Sequence, residues 1–287
     1  MTEKRIAYLN GAYLPLSEAK VSVMDRAFLF ADAIYEVVPV LDGKLIDFAG
    51  HIDRLERSLG AVFMPMPVSR HHFESIHHEL LKHNGLTQGL VYSQITRGEA
   101  ERAFTFPVKD TPQNVVLFTQ NKNLHDDPMA KRGLKIISLP DLRWQRRDIK
   151  STCLLAQTMA KQSAVEQGAD DAWMVENGYV TEGTSNSAFI ITDDDKIIVR
   201  PQSSAILPGI TRAAMLALVA QSGLTIEERP FTIDEAKQAN EAFVTSATNF
   251  VMPVVEIDGH RVGGGQPGPH SRRLRELYIQ TALRAAR

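Results

Sequence analysis

Short strand-like segments alternate with segments of helical periodicity along this chain, and the alternation limits the folds that it can adopt. Apolar residues repeat at three and four positions within 50–62, and helical spacing returns over 69–83, with Ser69 as a candidate N-cap. Strand-like segments follow at 90–97 and 114–120, and Asn10-Gly11 suits the two-residue turn of an early β-hairpin. The alternation predicts an α+β fold of packed layers and excludes a helical bundle or an all-β sandwich.

A polar stretch without periodicity, residues 120–128, divides the chain into two predicted domains. It ends in proline and has the composition of a connection. We therefore expect an N-terminal α+β domain over 1–119 and a C-terminal domain over 129–287. The second domain is predicted to contain strands at 134–139, 171–176, 179–182, 187–191 and 196–200, and helices at about 151–167, 211–222 (ended by Gly223) and 268–286.

Composition and charge narrow the class of protein. The chain is 44% hydrophobic and 23% charged, with a net charge of −2 and no long run of either sign, so nucleic acid and membrane partners are not expected, and a small-molecule partner fits better. The N-terminus carries no apolar segment of signal-peptide length, which predicts a cytoplasmic protein. The single Cys153 excludes an intrachain disulfide framework, and we interpret it as a buried, inert thiol on the predicted helix.

Paired histidines in the second predicted helix invite a metal-site interpretation. His71-His72 and His77-His78 have only Glu74 and Glu79 near them, and no neighbouring aspartate or cysteine completes a ligand set. We expect an exposed polar helix there and no metal.

Two charged residues in particular contexts suggest an organic cofactor instead. Lys150 lies in RWQRRDIKS (143–151), and Glu182 lies in TEGTSNSAF (181–189). Pyridoxal phosphate needs a lysine amine for its Schiff base and a carboxylate beside its pyridine nitrogen. Taken alone, the pair proves nothing, since most lysines are solvated and a glutamate beside glycine is usually a turn residue.

The motifs around this pair resemble those of the D-amino acid transaminases, pyridoxal-phosphate enzymes of fold type IV. The fold type is shared with branched-chain aminotransferases, aminodeoxychorismate lyases and (R)-selective amine transaminases. The resemblance covers nearly the whole chain and implies two domains, the larger C-terminal one with a β-barrel-like core, and a homodimer with a shared active site. The motifs that carry it are YEVVPVLDGKLIDFAGHIDRL (35–55), RGEAERAFTFP (97–107), RWQRRDIKS, TEGTSNSAF, ILPGITR (206–212) and VTSAT (244–248).

The resemblance also implies a role for each cofactor-binding residue. Lys150 carries the Schiff base and then moves the proton between substrate and cofactor, Glu182 partners the pyridine nitrogen, and Leu207 packs on the ring. A helix opened by Pro208-Gly209 favours an anion through its free amides, although the same residues also suit a plain helix start. In the family the phosphate is held by residues corresponding to Arg54, Gly209, Ile210, Thr211, Ser246, Ala247 and Thr248.

Substrate binding is where this chain departs from the family. The resemblance implies that Tyr35 and Arg102 bind the substrate carboxylate, with Arg102 contributed by the neighbouring subunit. Phe104 occupies the position of a histidine in the family motif, which removes one donor and makes that side of the pocket apolar. We expect ping-pong transamination between a D-amino acid, such as D-alanine or D-glutamate, and a 2-oxo acid, with bulkier D-amino acids or (R)-amines also accepted.

Three other activities use the same cofactor site. A branched-chain L-amino acid transaminase would differ in stereoselectivity, an (R)-amine transaminase in needing no substrate carboxylate, and a lyase of the aminodeoxychorismate type in releasing pyruvate without an amino acceptor. A cofactor-binding protein without turnover is disfavoured because Lys150, Glu182 and Arg102 are all present.

Overall fold

The computed structural model describes residues 5–286, which form two compact units. The first unit ends at Asn123 and also takes in Ile149–Cys153, and the second comprises Leu124–Asp148 and Leu154–Ala285. The break after Asn123 lies within the polar stretch 120–128. The return of 149–153 to the first unit differs from the sequence prediction, which placed that segment in the C-terminal domain.

The first unit is a six-stranded antiparallel sheet with helices. The predicted hairpin at Asn10-Gly11 is confirmed, with φ angles of 48° and 97°. In spatial order the strands run β2-β1-β6-β5-β3-β4. The elements are β1 (Ile6–Leu9), β2 (Ala12–Pro15), α1 (Arg26–Phe30), β3 (Ala33–Leu41), β4 (Lys44–Leu45), α2 (Phe48–Ala61), α3 (Arg70–Asn84), β5 (Gly89–Thr96) and β6 (Val115–Asn121).

Helix α3 follows from local signals in the sequence. The Ser69 hydroxyl caps it by accepting a hydrogen bond from the His72 amide, and Gly85 ends it in the left-handed conformation. Its apolar face, which includes Phe73, is buried in the core of the unit, and each such side chain contributes about 1.5–3 kcal/mol. The prediction of an exposed polar helix is wrong for His77, which is fully buried.

The second unit is built on a nine-stranded mixed sheet. The main path runs β12-β11-β10-β13-β14-β7-β8-β9, and β15 pairs with β14. The elements are α4 (Pro128–Arg132), β7 (Leu134–Pro140), α5 (Leu155–Glu166), β8 (Asp171–Glu176), β9 (Tyr179–Gly183), β10 (Ser187–Ile191), β11 (Lys196–Val199), α6 (Ile210–Leu216), a 3-10 turn (Val219–Ser222), β12 (Thr225–Glu228), α7 (Ile233–Gln238), β13 (Glu241–Ser246), β14 (Phe250–Ile257), β15 (His260–Arg261) and α8 (Pro269–Ala285).

This sheet curls upon itself. Strand β9, at one end of the path, continues through a tight turn into β10 and lies against it, so that the strands from β10 to β9 surround an apolar interior. Trp173 and Ile190 are among the fully buried side chains of that interior. The expectation of an α+β fold with a barrel-like C-terminal core is confirmed.

Two details of the C-terminal prediction are wrong. Helix α5 begins at Leu155 because the residues before it pair with β3, and Cys153 is exposed on the segment that precedes the helix. The predicted helix 211–222 is interrupted after Leu216 and continues as the 3-10 turn, although Gly223 ends it as expected, at φ 79°. Among residues 5–286, no helix is long and apolar enough to cross a membrane, and no cluster of potential ligands could hold a metal ion.

Candidate active site

Lys150 lies on the edge of strand β3, where its backbone is fixed on both sides. Its carbonyl accepts a hydrogen bond from the Tyr35 amide at 3.0 Å, and its own amide donates to the Ser58 hydroxyl of α2 at 3.3 Å. The next residue, Ser151, forms a bridge with Ile34. The Lys150 Nζ lies 4.2 Å from the centroid of the Tyr35 ring. The structure therefore brings two of the predicted site residues together, a half-buried amine and the ring of Tyr35.

A stack of three aromatic rings lies behind this amine. The rings of Tyr35 and Tyr92 are 5.6 Å apart and nearly parallel, and Tyr92 stacks in turn on Phe118 at 4.8 Å. The Tyr92 hydroxyl donates to Gln94, and burial raises the pKa of Tyr92 above its ordinary value. The ring that contacts Lys150 thus belongs to a packed wall, which restricts its movement.

Arg54, a predicted phosphate ligand, is buried and paired with Glu36. Its Nε and Nη2 donate to the two oxygens of Glu36 at 2.7 and 2.8 Å, and His51 Nδ1 lies 2.8 Å from Glu36 Oε2. Although burial alone raises the pKa of this carboxyl, Arg54 and His51 hold it well below its usual range. Arg54 is one helical turn before Ser58, the residue that holds the Lys150 amide.

Glu182, the predicted partner of a pyridine nitrogen, is buried on β9 in the second unit. Both of its carboxylate oxygens are 3.2 Å from the Leu207 amide, and Arg143 donates to Oε1. Burial raises the pKa of Glu182, while the positive charge of Arg143 acts against that rise. Two predicted cofactor residues, Glu182 and Leu207, are thus in direct contact.

Arg143 is itself held in place by an acidic neighbour. Its Nε and Nη2 donate to Asp141 at 3.0 and 2.7 Å, and the Thr181 hydroxyl donates to the same carboxylate at 2.6 Å. Burial alone lowers the pKa of Arg143, but its bonds to Asp141 and Glu182 raise it. By contrast, Arg146 is exposed and pairs with Asp148. Of these two neighbouring arginines, Arg143 is the one that can keep Glu182 ionised.

The predicted phosphate-binding segments of the second unit lie at a helix start and a strand end. Gly209 is the N-cap of α6, and a Cβ atom there would lie 2.9 Å from the Ser187 hydroxyl, so any larger residue would crowd that hydroxyl. The helix begins with Ile210 and Thr211, whose amides belong to its first turn. Ser246 is the last residue of β13, and residues 247 and 248 lie in the turn that leads to β14. All three are half-buried. Backbone amides and hydroxyls of this kind are donors suited to a phosphate.

Arg102 and Phe104 lie on the loop between β5 and β6, where both are exposed. The guanidinium carbon of Arg102 is 5.5 Å from the centroid of Phe30 and 5.6 Å from that of Phe104, and the two rings are 5.7 Å apart. Phe104 is 85% exposed. Arg102 is therefore held beside two aromatic rings at the surface of this chain.

Five residues outside the predicted set support the predicted site residues. For Glu36 a signal was present in the sequence, because this acidic residue stands between Tyr35 and the apolar Val37. His51, Ser58 and Thr181 lie 15, 92 and 40 positions from the groups that they hold. Asp141 is only two positions from Arg143. The five are Glu36, His51, Ser58, Asp141 and Thr181.

Comparison with known proteins places the chain in a family. The sequence model of Amino-transferase class IV matches residues 33–257. The chain belongs to this family. It is 37% identical to the D-alanine aminotransferase of Bacillus licheniformis over 275 residues, which are 96% of this chain and 94% of the relative. It is 35% identical to the D-alanine aminotransferase of Staphylococcus haemolyticus over 271 residues, 94% of this chain and 95% of that one.

Solved structures of branched-chain amino acid aminotransferases share the fold. The T.th. branched-chain amino acid aminotransferase, solved with pyridoxamine 5'-phosphate, matches with a TM-score of 0.89 at 24% identity, covering 98% of this chain and 95% of that one. The branched-chain amino acid aminotransferase from Escherichia coli matches with a TM-score of 0.86 at 20% identity, covering 97% and 94%. These likenesses confirm the predicted fold type.

Proposed function

We propose that this class IV aminotransferase is a pyridoxal-phosphate enzyme that moves the amino group of a D-amino acid, such as D-alanine or D-glutamate, to a 2-oxo acid. The observation that carries the proposal is the 35–37% identity to D-alanine aminotransferases over 94–96% of the chain. The motif RGEAERAFTFP supports it by keeping Arg102, a fork of donors that binds a carboxylate bidentately.

The described residues fit the cofactor in its chemistry. When bound, pyridoxal phosphate withdraws electrons from the substrate carbon that carries the amino group. The buried carboxylate of Glu182 would hold the pyridine nitrogen, and the Leu207 side chain would pack on the ring. The phosphate would be held by Arg54, Gly209, Ile210, Thr211, Ser246, Ala247 and Thr248.

Lys150 would supply the amine that moves the proton between the substrate carbon and the cofactor. Both backbone hydrogen-bonding groups of the lysine are bonded, so its amine moves only by side-chain rotation. The ring of Tyr35 covers one side of the amine and excludes water from that side. We assign to Tyr35 the additional task of binding the substrate carboxylate with Arg102.

A homodimer with shared active sites is the second part of the proposal. Phe28, Phe63 and Phe104 in the first unit are all more than 70% exposed, which is unusual for large aromatic side chains of a soluble monomer. Arg102 and Phe104 are both at the surface of the chain that carries them. We infer that they reach the active site of a partner subunit.

An absorption experiment tests the reaction. D-alanine is added to the purified holoenzyme without a 2-oxo acid, and L-alanine is added to a matched sample. Conversion of the cofactor spectrum to that of pyridoxamine phosphate with the D-isomer alone supports the proposal. A response to L-alanine alone, or release of pyruvate with no spectral conversion, refutes it. Lys150→Ala should abolish the conversion, whereas Lys131→Ala, at an exposed position, should not.

Complementation tests the shared site. Lys150→Ala and Arg102→Ala are each expected to be inactive, because one lacks the amine and the other lacks the carboxylate anchor. If each site combines residues of two subunits, co-refolding the two variants forms heterodimers in which one site has both residues, and part of the activity returns. A mixture that stays inactive while forming heterodimers contradicts the shared site.

A further inference from the structure

Strand β3 turns two neighbouring residues toward opposite faces of the sheet. Tyr35 faces the amine of Lys150, and Glu36, fully buried, faces helix α2. On that side the carboxylate of Glu36 accepts three hydrogen bonds from two basic side chains, Arg54 and His51. Both oxygens of the Glu36 carboxylate are therefore engaged by side chains of α2.

Glu36, Arg54 and His51 form a buried cluster. Its geometry fixes the direction of the Arg54 guanidinium. Two parallel hydrogen bonds, from Nε at 2.7 Å and from Nη2 at 2.8 Å, lock the guanidinium plane to the plane of the Glu36 carboxylate. His51 Nδ1 approaches Glu36 Oε2 at 2.8 Å, which prevents the carboxylate from rotating. Breaking a buried pair of this kind leaves an uncompensated charge, so Arg54 without Glu36 would change position or attract water.

The cluster is tied to the two elements that hold Lys150. Arg54 precedes Ser58 by one helical turn, and Ser58 accepts the hydrogen bond of the Lys150 amide. Glu36 follows Tyr35, whose amide donates to the Lys150 carbonyl. A guanidinium fixed by Glu36 is thereby fixed relative to the lysine as well.

We propose that Glu36 is a positioning residue that aims Arg54 at the cofactor phosphate, with His51 holding the carboxylate in place. The inference rests on the proposed function, in which Arg54 is a phosphate ligand. Glu36 acts only through Arg54. Its loss should therefore weaken the binding of the phosphate group and leave the binding of the rest of the cofactor nearly unchanged.

Pyridoxal, which lacks the phosphate, separates these two effects. The dissociation constants of pyridoxal phosphate and of pyridoxal are measured on the cofactor-free full-length protein by equilibrium dialysis, with the bound ligand read by absorbance. The parent protein should prefer pyridoxal phosphate. In Glu36→Gln the amide would place a donor against Arg54 or His51, and we expect the preference to fall about tenfold or more, the effect of one charged hydrogen bond.

Asp32→Asn is the matched control. Asp32 is a largely buried carboxylate of the same unit and also lies between two basic side chains, accepting from Arg26 Nε and Arg97 Nε at 2.8 Å each. Its neutralisation damages a comparable ion-pair cluster that does not include Arg54. The preference for pyridoxal phosphate over pyridoxal should be the same in Asp32→Asn as in the parent.

The outcomes separate the inference from the function that it rests on. An unchanged preference in Glu36→Gln, or equal weakening of both ligands, overturns the role of Glu36 while the proposed function stands. A parent protein that binds neither ligand overturns the proposed function itself. If Glu36→Gln does not fold, Glu36→Asp is measured in its place. The aspartate keeps the charge but is too short for the two-point contact with Arg54. A smaller preference in that variant supports the inference, and an unchanged one overturns it.

Discussion

The buried His77 of helix α3 should make the stability of the protein depend on pH. Its Nδ1 lies 2.8 Å from the Phe73 carbonyl and donates to it, and its ring packs edge-on against Phe48 and Phe73. Its Nε2 is buried and has no hydrogen-bond partner in the part of the chain that the structure describes. Burial lowers the pKa of His77 from 6.5 to about 4, since a second proton would place a charge among apolar side chains.

The size of the effect follows from proton linkage. Between pH 6.5 and pH 4 the unfolded chain binds a proton at this residue that the folded protein does not bind. Stability is therefore fully present above pH 6.5 and is lost as the pH falls toward 4. Between pH 7 and pH 5 the predicted decrease in the free energy of unfolding is about 2 kcal/mol, and below pH 4 the total approaches about 3 kcal/mol.

Urea unfolding at pH 7 and pH 5 measures this difference for the protein and two variants. His77→Leu removes the titrating group, so the free energy of unfolding lost between pH 7 and pH 5 should be smaller by about 2 kcal/mol than in the parent. His72→Leu, at an exposed position of the same helix, should lose as much as the parent. Trp144 and Trp173 both lie in the second unit, so tryptophan fluorescence would not report on the first unit, which contains His77. Unfolding is therefore followed by far-UV circular dichroism. Equal pH dependence in the parent and in His77→Leu would refute the reasoning.

The remaining predictions concern the active site. Arg143→Gln should raise the pKa of the buried Glu182 further, because it removes the positive charge beside that carboxylate. Protonated Glu182 would not support the reaction, so kcat should fall about tenfold for each unit by which the pKa exceeds the assay pH. The pH–rate profile should therefore move to higher pH. The exposed Arg146→Gln should leave the profile unchanged, and a shift in both variants would contradict this assignment. Phe104→His should increase kcat/KM for D-alanine relative to a simple (R)-amine, and equal ratios in the two proteins would show that Phe104 does not affect specificity. Phe30→Leu removes one ring beside Arg102 and should raise the KM of D-alanine about two- to fivefold with little change in kcat, whereas a fall in kcat alone would exclude a role in carboxylate binding.

Sequence patterns predicted the elements whose signals are local. The hairpin at Asn10-Gly11, helix α3 with its Ser69 cap and the end of a helical segment at Gly223 each depend on a few adjacent residues, and each is confirmed. Family resemblance, not periodicity, identified the barrel-like core. Strands β13 and β14 are buried almost throughout, so they lack the alternation that marks a strand with one solvated face.

What could not be predicted depends on contacts between distant parts of the chain. The helix predicted from about Ser151 begins only at Leu155, because the backbone of residues 150–152 pairs with β3, more than a hundred residues earlier. The same pairing leaves Cys153 exposed instead of buried. The partners of the site residues are equally distant, since Glu182 is 39 positions from Arg143 and Lys150 is 92 positions from Ser58.

The register of Lys150 on the edge of β3 connects these observations. Side chains alternate along a strand, so the one register that places Tyr35 against the Lys150 amine also turns Glu36 toward Arg54. A slip of one residue would exchange the two, leaving a carboxylate at the amine and a tyrosine against the buried guanidinium. The apolar neighbours of Glu36 on the same face, Ile34 and Val38, oppose such a slip because they would leave the core. Core packing in the first unit therefore determines which side chain meets the lysine and which meets the arginine.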